Sequence, residues 1–437
     1  MEDQFFIASI TLIGSVVGTP VGGLQSDILG RKNTMMATQL LTLIGFLFLR
    51  FAQTIPMFYI GAFLGGYTEG VYLFVSALYT AEINQPKIRN YTMSFNMLSY
   101  FLMFCITYVI AYSVPWRQTI SILIPLPCLN FLWLFLCPES PTWYMLKGRK
   151  EEAFTTLLKL RGNSEVARLE IKRIEKNLEE QKSLQEKMDF QASSIKEHIS
   201  VLLKGTFVRP CSVLVFLYTI GWQWTGEASL TFYTVDIVQE FNIPVSPYLT
   251  SAGIGCYQFL VAIISVYLSA VVPRRKYYIG SGILVMAGAG ILGTYCHLQK
   301  YKSFHETVQT NPILHGIPIF ALLLYFGGYA SGFVTVCHML LGELLPSNAR
   351  SIGGCIVVQS SNVSFFLVTK FTPFCAEALG MDGLFWLFSV ITLVSVIFAY
   401  CCVPETFGVS LEDIEQHYRE ICYPSKFTNE YKNGLIS

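Results

Sequence analysis

Eleven stretches of predominantly apolar residues run through the chain, and they constrain its fold more than any other feature. A helix needs roughly 20 such residues to cross the hydrocarbon core of a bilayer. The predicted spans are residues 4–24, 33–52, 57–81, 93–113, 117–138, 207–238, 248–271, 277–297, 316–340, 352–378 and 383–404. The sequence therefore predicts an all-α membrane protein with eleven spanning helices.

The composition excludes several classes of function. Of the 437 residues, 53% are hydrophobic and only 14% are charged, whereas a soluble domain carries about 25% charged residues. A net charge of +1 gives no large field to attract nucleic acid. The 12 Cys and 6 His show no ligand spacing, so we expect no metal ion and no cofactor. No paired nucleophile and base is visible, so the sequence does not predict an enzyme.

Basic residues fall in alternate connections between the predicted spans, at Arg31, Arg89, 147–206, Arg274 and Arg350. Such connections face the cytoplasm, which predicts a cytoplasmic C-terminus and an outside N-terminus. The chain begins with acidic residues and shows no cleavable signal. Five spans before the charged middle and six after it suggest that a first helix is missing. Either the sequence is truncated at its start, or the protein works with eleven spans.

The spans and the charged middle divide the chain into four parts. These are an N-terminal bundle over 1–143, a linker over 144–206, a C-terminal bundle over 207–405 and a cytoplasmic tail over 406–437. In the linker, Ile171, Ile174 and Leu178 recur at helical spacing among charged residues, which predicts an amphipathic helix. That helix is either a solvated connection or a partner site. Gly14, Gly18 and Gly22 form a stripe typical of closely packed membrane helices.

A charged signature occurs twice in the chain, once in each half. Glu82 precedes Arg89 by seven residues and is followed by Pro138-Glu139-Ser140, while Glu343 precedes Arg350 by seven and is followed by Pro404-Glu405-Thr406. A signature repeated at matching places in two apolar halves is typical of a transporter built from two homologous helical bundles.

Several motifs resemble those of known transporters. The segment 23–32 resembles the loop signature of the major facilitator superfamily, with Ile28 where a basic residue is usual. Segments 138–143 and 404–408 resemble the Pro-Glu-Ser-Pro-Arg-Trp and Pro-Glu-Thr-x-Gly motifs of its sugar porter family, with Thr142 in place of Arg. Segments 232–237, 342–346 and 410–415 look most like the insect facilitated trehalose transporter-like branch. The resemblance implies the major facilitator fold of two pseudo-symmetric bundles.

The same resemblance implies a network of charges that closes an inner gate. Its members would be Asp27, Arg31, Glu82, Arg89 and Glu139 in the first half and Glu343, Arg350 and Glu405 in the second. Exposed ion pairs contribute roughly 0–1 kcal/mol each, a suitable size for a latch that must hold and release. The alternative is that these residues only fix the topology. Ala270 and Pro273 stand where the first half has Asp27 and Gly30, so we expect the second latch to be weaker.

The family binds sugar through amide side chains and aromatic faces, and this chain keeps part of that pattern. The seventh-helix pattern Gln-Gln-x-Ser-Gly-x-Asn reads Trp222 to Ala228 here, and Met97 replaces a binding Gln. The candidate solute-binding residues are Gln223, Gly226, Asn362, Trp222, Trp224 and His338. For the two Trp residues, a lipid-facing or interfacial position is the alternative. Losing amides removes hydrogen bonds of roughly 1 kcal/mol each, which argues against the usual glucose pose.

Two acids, Glu69 and Glu227, fall within predicted spans, where burying a charge is costly and usually functional. Either could carry a proton in a symport cycle, and Arg50 on the preceding helix is a possible partner of Glu69. The alternatives are a buried ion pair or an acid that lines a water-filled path.

The sequence as a whole predicts a multi-pass plasma-membrane carrier of a small neutral solute. The leading substrate is a sugar, trehalose or a hexose, moved by facilitated alternating access. An organic-ion carrier of the same superfamily and a non-transporting sensor remain alternatives. The expected partners are the small solute and the lipid bilayer.

Overall fold

The computed structural model describes residues 2–191, 205–232, 234–240, 246–301, 314, 316–345, 350–407 and 418. No strand occurs among these residues. The helices before residue 192 are α1 (Glu2–Leu29), α2 (Arg31–Arg50), α3 (Ile55–Ile83), α4 (Pro86–Ser113), α5 (Trp116–Leu123), α6 (Pro125–Leu136), α7 (Pro141–Leu146), α8 (Lys150–Arg161) and α9 (Ser164–Gln191).

The second half contains eight α-helices and two π-helical segments in its described part. They are α10 (Gly205–Phe216), π1 (Leu217–Gln223), α11 (Glu227–Phe232), α12 (Thr234–Glu240), α13 (Pro247–Val271), α14 (Arg274–Gln299), α15 (Gly316–Gly328), π2 (Tyr329–Phe333), α16 (Val334–Leu344) and α17 (Arg350–Cys402). Gly380, with φ of 75°, breaks α17 into two helices.

Six stretches of the described residues are long and apolar enough to cross a membrane: Phe95–Ser113, Trp116–Leu136, Pro247–Val271, Arg274–Gln299, Gly316–Leu344 and Gly353–Cys402. The last contains two predicted spans, because Gly380 interrupts it. Large hydrophobic side chains such as Trp133 and Leu136 are exposed on the outer surface, as a lipid-facing surface requires. These features support a multi-pass membrane protein, and the count of eleven spans stays a prediction.

Glycines hold the first group of helices together. Helix α1 packs most extensively on α3, and the predicted glycine stripe lies at this contact. A Cβ atom built on Gly18 would lie only 2.1 Å from the carbonyl oxygen of Tyr67, and one on Gly14 would lie 2.4 Å from that of Phe63. Only glycine permits so close an approach of two backbones. The packing role expected for this stripe is therefore confirmed.

Aromatic side chains fill the second group of helices. Tyr278 stacks on Phe333 with ring centroids 4.6 Å apart, and Tyr325, Tyr329 and Phe385 are fully buried near them. Aromatic rings bury large areas and add favourable ring contacts. The second group is thus rich in buried aromatic side chains, and it also contains close backbone contacts at Gly288 and Gly328.

The two groups of helices meet along two seams. At one seam α4 packs on α13, where the Sγ atoms of Cys105 and Cys256 lie 3.5 Å apart and the Tyr108 hydroxyl donates to the Thr231 carbonyl. At the other seam α1 packs on α17. A relative movement of the two groups would have to change contacts at these seams.

The charged middle folds as helices α8 and α9. Helix α9 contains Ile171, Ile174 and Leu178, all half-buried, as the helical spacing predicts. Arg161 fastens this region to the first group because it donates to the Ile83 carbonyl at 2.9 Å and pairs with Glu170. Residues 192–204 of the predicted linker and most of the predicted tail lie outside the described residues.

Candidate solute-binding site and charged face

The helical segment that carries the predicted solute-binding residues Trp222 and Gln223 is interrupted at Gly226. Segment π1 ends at Gln223, and Gly226 then takes a φ of +95° before α11 begins. A Cβ atom at Gly226 would lie 2.4 Å from the Phe388 ring, so both the conformation and the space require glycine. Gly226 therefore shapes the site through its backbone. Inserted π turns of this kind are common at functional sites.

Trp222 faces inward from π1 into an aromatic patch. Its ring lies edge-on to His338 of α16 at 4.9 Å and to Tyr218 at 5.4 Å, and Tyr218 also contacts His338. The indole Nε1 and the Tyr218 hydroxyl are buried, and neither has a hydrogen-bond partner among the described residues. Buried donors of this kind can serve a polar ligand. Trp222 and Trp224 are both half-buried, and the ring contacts of Trp222 favour the inward position over the lipid-facing alternative.

The amide side chains of the site bond to α17 and α1. Gln223 donates through Nε2 to the Ser361 hydroxyl at 2.9 Å. Next to Ser361, Asn362 donates to the Thr19 hydroxyl of α1 at 2.8 Å. Gln359, one turn earlier, donates to the Val16 carbonyl at 3.0 Å and leaves its own oxygen buried without a described partner. Asn362 and Gln359 thus join the two groups of helices.

The two acids within predicted spans both lie near Tyr100. Thr231 donates to the Glu227 carboxylate at 3.1 Å, and the Tyr329 hydroxyl of π2 lies beside the same carboxylate. Tyr100 of α4 interacts electrostatically with both Glu227 and Glu69. Glu69 has an accessible side chain. Arg50, expected as a partner of Glu69, donates instead to Ser121 at 2.6 Å.

A cluster of charges ties the ends of α1, α2, α3 and α7 together, and we call it the first cluster: Arg31, Asp27, Glu82, Glu139 and Ser140. The Arg31 guanidinium donates to both Glu82 oxygens and, at 3.0 Å, to Asp27. Glu139 accepts from the backbone N–H groups of Arg31 and Lys32, and Ser140 donates to Glu82. Arg31 and Glu139 are buried. The contacts described for this cluster lie within the first group of helices.

The second group repeats the central part of this arrangement in what we call the second cluster: Arg274, Glu343, Glu405 and Thr406. The Arg274 guanidinium donates to Glu343 at 3.4 Å, and Thr406 donates to the other Glu343 oxygen. Glu405 accepts from the backbone N–H groups of Arg274 and Arg275. The end of the molecule that carries both clusters is called the charged face below. The repeat sequence therefore produces a repeated structure.

The placement of the remaining predicted residues is mixed. The side chains of Arg89 and Arg350 lie outside the described part of the structure. Ser140, Thr406, Ser361, Thr19 and Tyr329 were not identified from the sequence, although each contacts or lies beside a predicted residue. Ser140 and Thr406 stood directly after the two Pro-Glu pairs, and that position was the signal available for them.

A family model described as "Sugar (and other) transporter" matches residues 2–418. Among curated proteins, the facilitated trehalose transporter Tret1 of Apis mellifera ligustica is 26% identical over 425 residues, covering 96% of this chain and 80% of the relative. The Tret1 of Drosophila grimshawi is also 26% identical, over 419 residues, covering 95% of this chain. The chain spans only 43% of that fly protein's length.

Two solved structures of a bacterial sugar transporter share the fold. One is the proton:xylose symporter XylE bound to 6-bromo-6-deoxy-D-glucose, with a TM-score of 0.76, 21% identity and coverage of 95% of this chain and 89% of the other. Another is the inward open conformation of XylE from E. coli, with a TM-score of 0.69, 22% identity and coverage of 95% and 89%. The predicted major facilitator fold of two helical bundles is confirmed.

Proposed function

The chain belongs to the sugar (and other) transporter family, and we propose that it carries a small neutral solute, a sugar, across a membrane by facilitated alternating access. The observation that carries the proposal is the set of polar and aromatic groups that surround the break at Gly226. Gln223 donates to Ser361 there, and the neighbouring Trp222 contacts the His338 ring. A polyhydroxyl ligand needs donors, acceptors and ring faces together.

We take trehalose or a hexose as the substrate class. The insect relatives are named as trehalose transporters. Trp222 offers a buried indole N–H without a described protein partner, which a sugar hydroxyl could accept. Because Trp222 and Ala228 replace two amides of the family pattern, we expect the sugar to bind in a different pose from glucose in hexose carriers.

We assign the two clusters to the inner gate, with the charged face toward the cytoplasm of a plasma-membrane protein. Arg89 and Arg350 are included on their sequence position alone. The contacts described for both clusters lie within one bundle each. Their proposed role is to hold the ends of each bundle together as one body while the bundles rock against each other. The bundles would be residues 1–143 and 207–405, joined by 144–206 and followed by a tail at 406–437.

We propose Glu69 and Glu227 as the acids that would carry a proton if transport is coupled. They come from the two different bundles, and Tyr100 interacts with both. An acid from each side of a solute path could exchange a proton when the path changes access. Coupling would appear as uptake driven by an imposed proton gradient, with Glu227→Gln abolishing that drive. Equal uptake with and without the gradient would leave both acids as lining groups.

The experiment is uptake of radiolabelled trehalose and glucose into proteoliposomes that contain the purified protein. We expect saturable uptake of a neutral sugar, and an apparent KM raised about fivefold in Gln223→Ala, the effect of losing one hydrogen bond of about 1 kcal/mol. Gln239→Ala is the matched control, because Gln239 is exposed at the end of α12. Uptake of organic ions but of neither sugar would contradict the substrate class.

A further inference from the structure

A cavity of about 660 Å³ opens at the charged face between α2, α6, α7 and α8. It lies on the outer side of the first bundle, away from Trp222 and Gln223. Its polar lining side chains include Lys32, Asn33, Glu139, Tyr144, Arg149, Thr156 and Lys159. The solute-binding site uses none of these residues.

The charged side chains at this cavity carry a net positive charge. Glu139 is its lining acid, and its oxygens already accept hydrogen bonds from the backbone N–H groups of Arg31, Lys32 and Ser140. The lining cations Lys32, Arg149 and Lys159 outnumber the acids even when Glu152, the partner of Arg149, is counted with Glu139. Lys159 is exposed and takes part in no ion pair of the described residues. Its ammonium group is therefore available to an anion.

A separate apolar groove of about 180 Å³ lies along the seam between α2 and α6, two helices that also line the cavity. Leu40 and Leu43 line it from α2, and Cys128, Phe131 and Leu132 line it from α6. Leu40 follows Lys32 by eight residues, which places the groove about 12 Å farther along the helix. The side chains of Leu132 and Leu136 are 61% and 78% exposed, so the seam faces outward.

We propose that this seam is a binding site for an anionic phospholipid, with its phosphate in the basic cavity and an acyl chain in the groove. The order of the two parts matches the order of a lipid molecule, a charged head followed by a hydrocarbon tail. Basic pockets at the cytoplasmic ends of membrane helices attract such headgroups. Because Glu139 both lines the cavity and fastens α7 to α2, the bound lipid braces the first cluster from outside.

The groove distinguishes a lipid from a soluble phosphate compound. A free phosphate would need only Lys32, Arg149 and Lys159, and it would gain nothing from Leu40 or Leu132. An acyl chain instead covers these exposed leucines and adds free energy in proportion to the apolar contact. Charge and chain length should therefore both control binding.

The test is binding of lipid to the purified full-length protein in detergent, measured by native mass spectrometry and by the shift in Tm. The probes are phosphatidylserine, phosphatidylcholine and glycerol 3-phosphate. We expect phosphatidylserine to bind one to one and to raise the Tm. Lys159→Glu should weaken this binding at least about fivefold, the effect of removing one cation near an anionic headgroup. Lys159→Gln serves if the first variant fails to fold.

Two matched controls separate the site from general effects. Lys172→Glu reverses an exposed cation on α9 outside the cavity, and it should leave phosphatidylserine binding unchanged. Leu132→Trp should fill the groove and weaken binding, whereas Leu129→Trp changes an exposed leucine of α6 that does not line it.

Three results would overturn the proposal: equal binding by the Lys159 variants and the unaltered protein, equal binding of phosphatidylcholine, or full competition by glycerol 3-phosphate. The last result would identify a site for soluble phosphate compounds. The readout is binding, so it does not depend on whether the protein transports a sugar.

Discussion

The two clusters of the charged face occupy matching places in the two bundles, but their arginines are bonded to different extents. Arg31 donates through Nε and both terminal nitrogens, and its acceptors include Glu82 and Asp27. Arg274 reaches Glu343 at 3.4 Å, and its Nε has no partner among the described residues. Its guanidinium lies instead 5.3 Å from the centre of the Phe407 ring. The same framework therefore holds a fully paired arginine in one half and a partly paired one in the other.

The difference follows from two positions in the sequence. Ala270 replaces the partner that Asp27 provides in the first half, and Pro273 replaces Gly30. Gly30 has a φ of +97°, and its backbone passes so close to Glu139 that a Cβ atom would lie 2.4 Å from a carboxylate oxygen. Pro273, with φ of −55°, makes a different turn. The acid–arginine–acid framework is kept in the second cluster although both features are lost. We therefore expect the second cluster to contribute less to the free energy of unfolding than the first.

Removing the central acid of each cluster should give the largest effect. Glu82→Ala leaves the buried Arg31 without its main counter-charge, and breaking a buried pair in this way costs about 3–5 kcal/mol. Glu343→Ala should cost less, because Arg274 already pairs less completely. The measurement is the free energy of unfolding of the purified protein in detergent. Glu152→Ala, which breaks an exposed pair with Arg149, is the control and should cost about 0–1 kcal/mol. Equal losses at Glu82 and Glu343 would remove the asymmetry.

A substitution in the turn before α2 should have an intermediate effect on stability. Gly30 has φ of 97° and ψ of 161°, a backbone conformation essentially restricted to glycine. Gly30→Ala should destabilise the protein by more than the roughly 1–3 kcal/mol that such a conformation costs other residues, because the new methyl group also displaces Glu139. Gly148→Ala is the matched control, since Gly148 has a φ of +75° and open space around it. Thermal unfolding of both variants checks the prediction. Similar losses in the two would mean that the contact with Glu139 contributes nothing.

Substituting Asp27 by Ala and Ala270 by Asp should change the free energy of unfolding least. Asp27 is 69% exposed, so Asp27→Ala should cost no more than about 1 kcal/mol. Ala270→Asp should add a comparable stabilisation to the second cluster, because it offers Arg274 a second acid. The free energies of unfolding of both variants are measured at low and high salt, and both changes should shrink as salt screens the charges. If Asp27→Ala instead raised the free energy of unfolding, the claim that Asp27 stabilises the first cluster would be contradicted.

The sequence predicted the helical framework well because its signals are local. Apolar length predicted the long helices, and the stripe of Gly14 and Gly18 identified the contact of α1 with α3. Long-range partners were harder to predict. Glu82 pairs with Arg31, which lies 51 residues away, whereas the sequence spacing drew attention to Arg89. An ion pair between helices depends on their packing, and spacing along the chain does not encode it.

The solute-binding site was predicted only in part, because its contacts also join residues that are distant in the sequence. Gln223, Trp222 and His338 were identified by resemblance, and the structure brings Trp222 and His338 into ring contact. The π segments were not predicted, because a π turn depends on backbone strain and packing around Gly226 and leaves no apolar periodicity. Arg50 was wrongly paired with Glu69, because adjacency of two helices does not fix which of their faces meet.

Our central claim is that the bundles move against each other at the seam between α4 and α13. The most direct test uses Cys105 and Cys256, whose Sγ atoms lie 3.5 Å apart across that seam. Copper phenanthroline would oxidise the two thiols to a disulfide in proteoliposomes, and Cys256→Ser is the control. We predict that sugar uptake falls to background when mass spectrometry shows the cross-link and returns on reduction, with uptake in the control unaffected. Undiminished uptake by cross-linked protein would contradict movement at this seam.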